Sequence, residues 1–175
     1  MTMESALTGP PPLLTFSPPL GQLVGEVALA VGWGPSPSLW AKFAVSLASL
    51  AKAAPAATVV LFSNVDARAL MGIPQYMLPP RLLVLNFSLP SLQAAWGFDA
   101  RPLELADSGW WRFPLFASFV RSHCLDAERL LWFDLKDLLF IRSPFELLPT
   151  AVASSILTTT ETGSIVYHRA SSPSW

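Results

Sequence analysis

The chain has 175 residues, 52% of them hydrophobic and only 13% charged, with a formal net charge of -1. That length suits one domain with a sizeable core, and eleven basic residues scattered among twelve acidic ones lack the clustered positive charge that gathers phosphate backbones, so no nucleic-acid partner is expected. A charged fraction about half the roughly 25% usual for soluble domains implies apolar surface that faces something other than water, which reads as missing partner surface.

Residues 1–24 are rich in Pro and Gly without apolar periodicity and read as an extended lead-in. The uncharged run over 5–25 carries Pro10, Pro11, Pro12, Pro18 and Pro19. Such a run cannot form one continuous helix, so no transmembrane segment is expected in this chain. Met1-Thr2-Met3-Glu4 lacks a basic n-region, and neither a signal peptide nor an anchor is expected. The single cysteine, Cys124, leaves no internal disulfide and reads as a buried thiol.

Residues 27–31 are apolar on both faces and closed by Gly32 and Gly34, as in a buried parallel strand. Ser36 offers an N-cap oxygen and Pro37 suits the first helical position. Leu39, Phe43, Leu47 and Leu50 then recur at helical spacing, predicting a helix to about Ala53. Residues 57–62 and 82–87 predict two more buried strands, and the Pro-interrupted linker over 66–80 has room for a short helix at most. Residues 90–96 allow another short helix. Leu115, Phe116, Phe119 and Val120 form a helical stripe running towards Cys124, and 130–133 predict the next strand. A weaker strand over 155–159 leads into Glu161 and a polar tail.

This alternation predicts an α/β fold with a mostly parallel sheet and helices on both faces. Such sheets bind ligands beyond the carboxyl ends of their strands, which directs attention to 32–36 and to Asp134-Leu135-Lys136-Asp137. Asp134 and Asp137 fall on opposite faces of a regular strand, but a tight turn after Asp134 lets both reach one point. Two carboxylates brought together repel, and a divalent Mg²⁺ or Mn²⁺ relieves this while offering its remaining positions to a diphosphate. From spacing alone the competing reading stays open: a surface turn in which the Asp residues cap the next element and Lys136 is solvated.

Arg112-Phe113-Pro114-Leu115-Phe116, Leu131-Trp132-Phe133-Asp134-Leu135-Lys136-Asp137-Leu138-Leu139-Phe140 and Pro144-Phe145 together resemble the nucleotide-diphospho-sugar transferases of the GT-A fold found in plants and algae. The family pattern is an Arg before a helix, a hydrophobic strand, Asp-x-Arg-Asp, apolar residues and Pro-Phe. The resemblance covers residues 25–175, is specific around the acidic turn, and resumes near Glu161 and Trp175. It implies a GT-A (Rossmann-like) donor-binding lobe over 25–175, cut short before the acceptor-binding half, that takes a nucleoside diphosphate sugar and passes the sugar to an unknown acceptor. It further implies that Asp134 and Asp137 hold the metal, and that the secretory pathway (Golgi) is the compartment. Lys136 stands where the family has Arg, and Ile141 where a Gln commonly follows the aromatic residue. A point charge therefore replaces a bidentate guanidinium at Lys136.

Arg112 shares a helical face with Phe116 and Phe119 and is a candidate for diphosphate neutralisation; the alternative is stacking on Trp110 or Trp111 through cation-π contact. That Trp pair itself reads as core. Gly32-Trp33-Gly34 before a capped helix is a weak candidate for backbone contact with a nucleotide. A dinucleotide fingerprint is excluded by Pro37 in place of the third Gly. A haloacid-dehalogenase-like reading fails because Lys136 occupies the second carboxylate position, and His123 and His168 lack partners for a triad or a zinc site. The second function class is a catalytically inactive remnant that acts as a binding or scaffold domain.

Overall fold

The computed structural model describes residues 20–87, 112–136, 138–147, 155–159 and 165–169. The helix expected over 90–96, the Trp110 and Trp111 pair, Asp137, Glu161 and Trp175 lie outside the described residues.

Four strands, β1 (Gly25–Gly32), β2 (Thr58–Ser63), β3 (Arg81–Asn86) and β4 (Ala127–Trp132), form an all-parallel sheet in the order β3-β2-β1-β4. Parallel neighbours need crossover connections. Helix α1 (Pro37–Ala53) joins β1 to β2, and a short helix α2 (Ala67–Met71) and a 3-10 turn (Gln75–Met77) lie between β2 and β3. Helix α3 (Arg112–His123) precedes β4, and a second 3-10 turn (Pro144–Leu147) follows it.

Strand alternation divides the core in two. Ala28, Ala30, Val59, Leu61 and Leu82 face α1 and α2 and pack on Trp40, Phe43, Ala44, Leu47, Leu50 and Met71. Val27, Leu29, Val60, Phe62 and Leu85 face the other way, onto Leu115, Phe116 and Phe119 of α3. Helices thus cover both faces, and the α/β architecture with its parallel sheet is as the alternation of elements predicts.

β4, the strand expected over 130–133, has alternate residues exposed, and β1 is its only strand neighbour among the described residues. Its register on β1 shifts between Gly25 and Glu26. There Arg129 Nη1 donates to Glu26 Oε1 at 3.1 Å and to the Phe145 carbonyl at 3.2 Å, tying the strand start to the following 3-10 turn.

Two local expectations need correction. Ser36 is the N-cap residue of α1 by position, but its side chain bonds no helix N-H; its Oγ lies 3.0 Å from Ser38 Oγ instead. The tail after Glu161 contains a strand, β6 (Ile165–Arg169), which pairs antiparallel with β5 (Ser155–Thr159) in a two-stranded sheet. Ile165, Val166 and Tyr167 are good strand formers that the polar residues around them obscured. At the other end, Leu20 and Leu23 pack on the α3 side of the core. The Leu23 N-H donates to the His123 carbonyl at 2.6 Å and Gln22 Nε2 to the Ser122 carbonyl at 2.8 Å.

Candidate functional site

In the order β3-β2-β1-β4 the chain leaves β1 towards β2 on one side, and β4 adds on the other. The carboxyl ends of β1 and β4 therefore meet where the strand order reverses, the position at which open α/β sheets place ligands. The two segments nominated from sequence, 32–36 and the acidic turn, are the continuations of these adjacent strands.

Asp134 reaches this edge through the parity of the strand. The Phe133 N-H donates to the Leu29 carbonyl at 3.1 Å, extending the β1–β4 ladder one residue past β4. Phe133 and Leu135 are buried in the α1-side core. Asp134, between them, points the opposite way and meets the first residue of α3. Arg112 Nη1 lies 3.0 Å from Asp134 Oδ2, with the Asp side chain 55% exposed and the Arg 30% exposed. Asp134 Oδ1 accepts the Lys136 backbone N-H at 3.3 Å, closing a local side-chain turn of the kind Asp favours. This contact bends the chain after Asp134, as both the paired-carboxylate and the surface-turn readings expect, and Lys136 is exposed beside it. Arg112 and Asp134 are brought together; the position of Asp137 lies outside the described residues.

Among the described residues no group of three or more His, Cys, Asp or Glu side chains converges. A diphosphate-bound Mg²⁺ needs only one or two protein carboxylates, the rest of its shell being phosphate oxygens and water. A carboxylate offers about four lone-pair sites, and the two contacts found at Asp134 use one on each oxygen. The donor chemistry of Asp134 fits a hard divalent cation on this count.

The loop after β1 has a different occupation from the one considered at the sequence level. A Cβ on Gly32 would overlap the Trp40 indole, at 2.8 Å from Cζ3 and 3.1 Å from Cζ2 and nearer still to Cη2. The glycine makes room for a tryptophan that is fully buried. Gly34 has φ +85°, the left-handed region that glycine adopts without strain. Its N-H donates to Asn64 Oδ1 at 3.0 Å, and its carbonyl accepts from Trp40 Nε1 at 2.7 Å. Trp33 stacks on Phe87 with centroids 6.0 Å apart, and the Phe87 N-H donates to the Ser63 carbonyl at 2.9 Å. The ends of β1, β2 and β3 are therefore stitched to one another, and the Gly34 amide is held by the protein.

Three contributors escaped the sequence reading. Asn64 was visible only as a strand-end residue. Ser46 and Ser49 stand three apart on α1, and their hydroxyls meet the backbone that follows the acidic turn: Ser46 Oγ donates to the Leu138 carbonyl at 2.7 Å, and Ser49 Oγ accepts the Phe140 N-H at 3.0 Å. A buried Ser on an apolar helical face was the available signal. His123 ends α3 with its ring 5.0 Å from Phe119, and Cys124 is buried, which pushes its thiol pKa up to about 11 and keeps it protonated near neutrality.

No family model matches the chain, and no curated protein and no solved structure matches it either. No described helix is long and apolar enough to cross a membrane.

Proposed function

We propose that this chain is the donor-binding lobe, of GT-A type, of a metal-dependent glycosyltransferase, taking a nucleoside diphosphate sugar at the carboxyl edge of β1 and β4. The observation that carries this reading is the pairing of Asp134, at the end of β4 where the strand order reverses, with the Arg112 guanidinium at 3.0 Å. An anionic metal ligand and a cationic phosphate ligand then stand side by side, as a metal-bound diphosphate requires.

Asp134 and Asp137 would hold Mg²⁺ or Mn²⁺, and the bound cation would offset the charge that develops on the diphosphate leaving group. Arg112, at the first turn of α3, presents guanidinium donors to phosphate oxygens. Lys136, exposed on the turn, adds a point charge on the same edge. Because Phe133 and Leu135 anchor the backbone on either side of Asp134, the carboxylate is presented on a rigid strand end, which limits the reorganisation needed on binding.

A second reading is favoured by the contacts of Asp134 itself. With Oδ2 on Arg112 and Oδ1 on the Lys136 N-H, the turn is satisfied without a ligand, as suits an inactive remnant serving as a binding or scaffold domain. Titration of the purified chain with UDP, with and without Mn²⁺, separates the two. Metal-dependent binding that disappears in an Asp134→Ala, Asp137→Ala double variant supports the donor lobe; a folded wild-type chain that binds no UDP in Mn²⁺ leaves the scaffold reading.

A further inference from the structure

The segment after the acidic turn is held by a helix where a strand would normally hold it. The Leu138 carbonyl and the Phe140 N-H flank Leu139 and, in an extended chain, point to the same side, as they would towards a neighbouring strand. Here both meet side chains of α1. Ser46 Oγ donates to the Leu138 carbonyl at 2.7 Å; Ser49 Oγ accepts the Phe140 N-H at 3.0 Å and donates to the Ser46 carbonyl at 2.7 Å. Ser46 is 2% exposed, so its hydroxyl has exchanged water for the Leu138 carbonyl, and Ser49 has both a donor and an acceptor role filled. Phe140 packs edge-on against Phe133 with centroids 5.1 Å apart, closing the segment over the α1-side core.

The described backbone is thus held both before and after the acidic segment. Upstream, the Phe133 N-H is on the Leu29 carbonyl and the Leu135 side chain is fully buried. Downstream, the Leu138 carbonyl is on Ser46 and the Phe140 N-H on Ser49. We propose that Ser46 and Ser49 are positioning residues of the donor site, a clamp through which α1 holds the backbone that continues from Asp134 at Leu138 and Phe140. The inference rests on the donor-lobe reading and deepens it: neither serine is placed against the ligand, and both act through the backbone at Leu138 and Phe140.

Ser49→Ala tests the clamp without opposing helix formation, since Ala is the best helix former. Ser49→Thr retains the hydroxyl. Ser46→Ala removes the other anchor. The measurements are amide hydrogen exchange at Phe140 and UDP binding with and without Mn²⁺, on the whole chain. In Ser49→Ala, exchange at Phe140 is expected to be about tenfold faster, and the Kd for UDP in Mn²⁺ about five- to tenfold weaker, the size of one lost hydrogen bond. UDP binding without metal is expected to be unchanged, Ser49→Thr to restore both values, and Ser46→Ala to weaken metal-dependent binding similarly.

Unchanged exchange in Ser49→Ala overturns the clamp. So does faster exchange with wild-type affinity for UDP in Mn²⁺, or a Thr variant that behaves like Ala. A wild-type chain that binds no UDP in Mn²⁺ overturns the donor-lobe reading and the clamp's role in it together. That result is distinct from the preceding outcomes, all of which start from a wild-type chain that binds.

Discussion

Gly32 separates a packing requirement from a ligand requirement. In Gly32→Ala the new methyl meets three atoms of the Trp40 six-membered ring, two of them at 2.8 and 3.1 Å, whereas unstrained carbon contacts lie near 3.5–4.0 Å. The indole cannot swing aside: it is fully buried, packs edge-on against Phe43 at 5.2 Å and donates to the Gly34 carbonyl at 2.7 Å. Overpacking of this kind costs about 1–3 kcal/mol. For a chain of this size, a loss of about 2 kcal/mol lowers the Tm by roughly 4–8 °C.

Trp40→Phe removes the clashing ring atoms but loses volume and the indole hydrogen bond, and costs about 1–3 kcal/mol on its own. The double variant is expected to be more stable than the sum of the two losses predicts, by at least about 1 kcal/mol, because the methyl fills space vacated by the indole. Equilibrium unfolding in urea of the wild type, both single variants and the double variant measures this coupling. A Gly32→Ala loss below about 0.5 kcal/mol, or strict additivity in the double variant, refutes the assignment of Gly32 to Trp40. A Gly32→Ala variant with wild-type stability and no UDP binding would return the glycine to the role of a nucleotide contact.

Asp134→Asn keeps an oxygen for the Lys136 N-H but weakens the pair with Arg112. Because that pair is half-exposed, the stability change is expected to stay below about 1 kcal/mol, while UDP binding in Mn²⁺ falls at least about tenfold; a calorimetric titration showing intact metal-dependent binding refutes the assignment of the metal to Asp134. Arg129→Met is expected to destabilise more than Glu26→Gln in urea unfolding, by about 1–2 kcal/mol, since it leaves both the Glu26 carboxylate and the Phe145 carbonyl without their shared donor. Equal losses would show that the bond to the 3-10 turn is without weight. Cys124 in the folded chain titrates near 11 against an ordinary 9.0. The unfolded chain therefore ionises first. The thiol's contribution is complete below about pH 9 and declines by up to about 2 kcal/mol as pH rises towards 11. Cys124→Ala is expected to abolish that part of the pH dependence in urea unfolding, and an identical alkaline slope in both proteins refutes it.

The α/β alternation was legible because buried parallel strands and amphipathic helices impose different apolar periods on the chain. Residues 27–31 and the stripe Leu39, Phe43, Leu47 and Leu50 fall within β1 and α1, whose observed bounds are Gly25–Gly32 and Pro37–Ala53. Acidic residues at an apolar strand end were equally visible at Asp134. β6 was not, because three strand formers, Ile165, Val166 and Tyr167, amid polar residues carry little signal until a partner strand supplies their hydrogen bonds. Nor did the apolar look of 130–133 disclose that β4 has β1 as its one strand neighbour among the described residues, since the number of neighbours a strand acquires is set by sheet order.

By itself, then, the sequence determined the element types of the α/β core, the parallel character of its sheet and the place of its carboxylates along the chain, all of which follow from local periodicity and strand parity. Tertiary structure decided what those residues meet. It brought Arg112 from the start of α3 to Asp134 across 22 positions. It filled the space above Gly32 with Trp40, and it bound the segment after the acidic turn to two serines more than ninety residues earlier. Such pairings depend on strand order and on which helix covers which face, and those are properties of the assembled layers that no local period encodes.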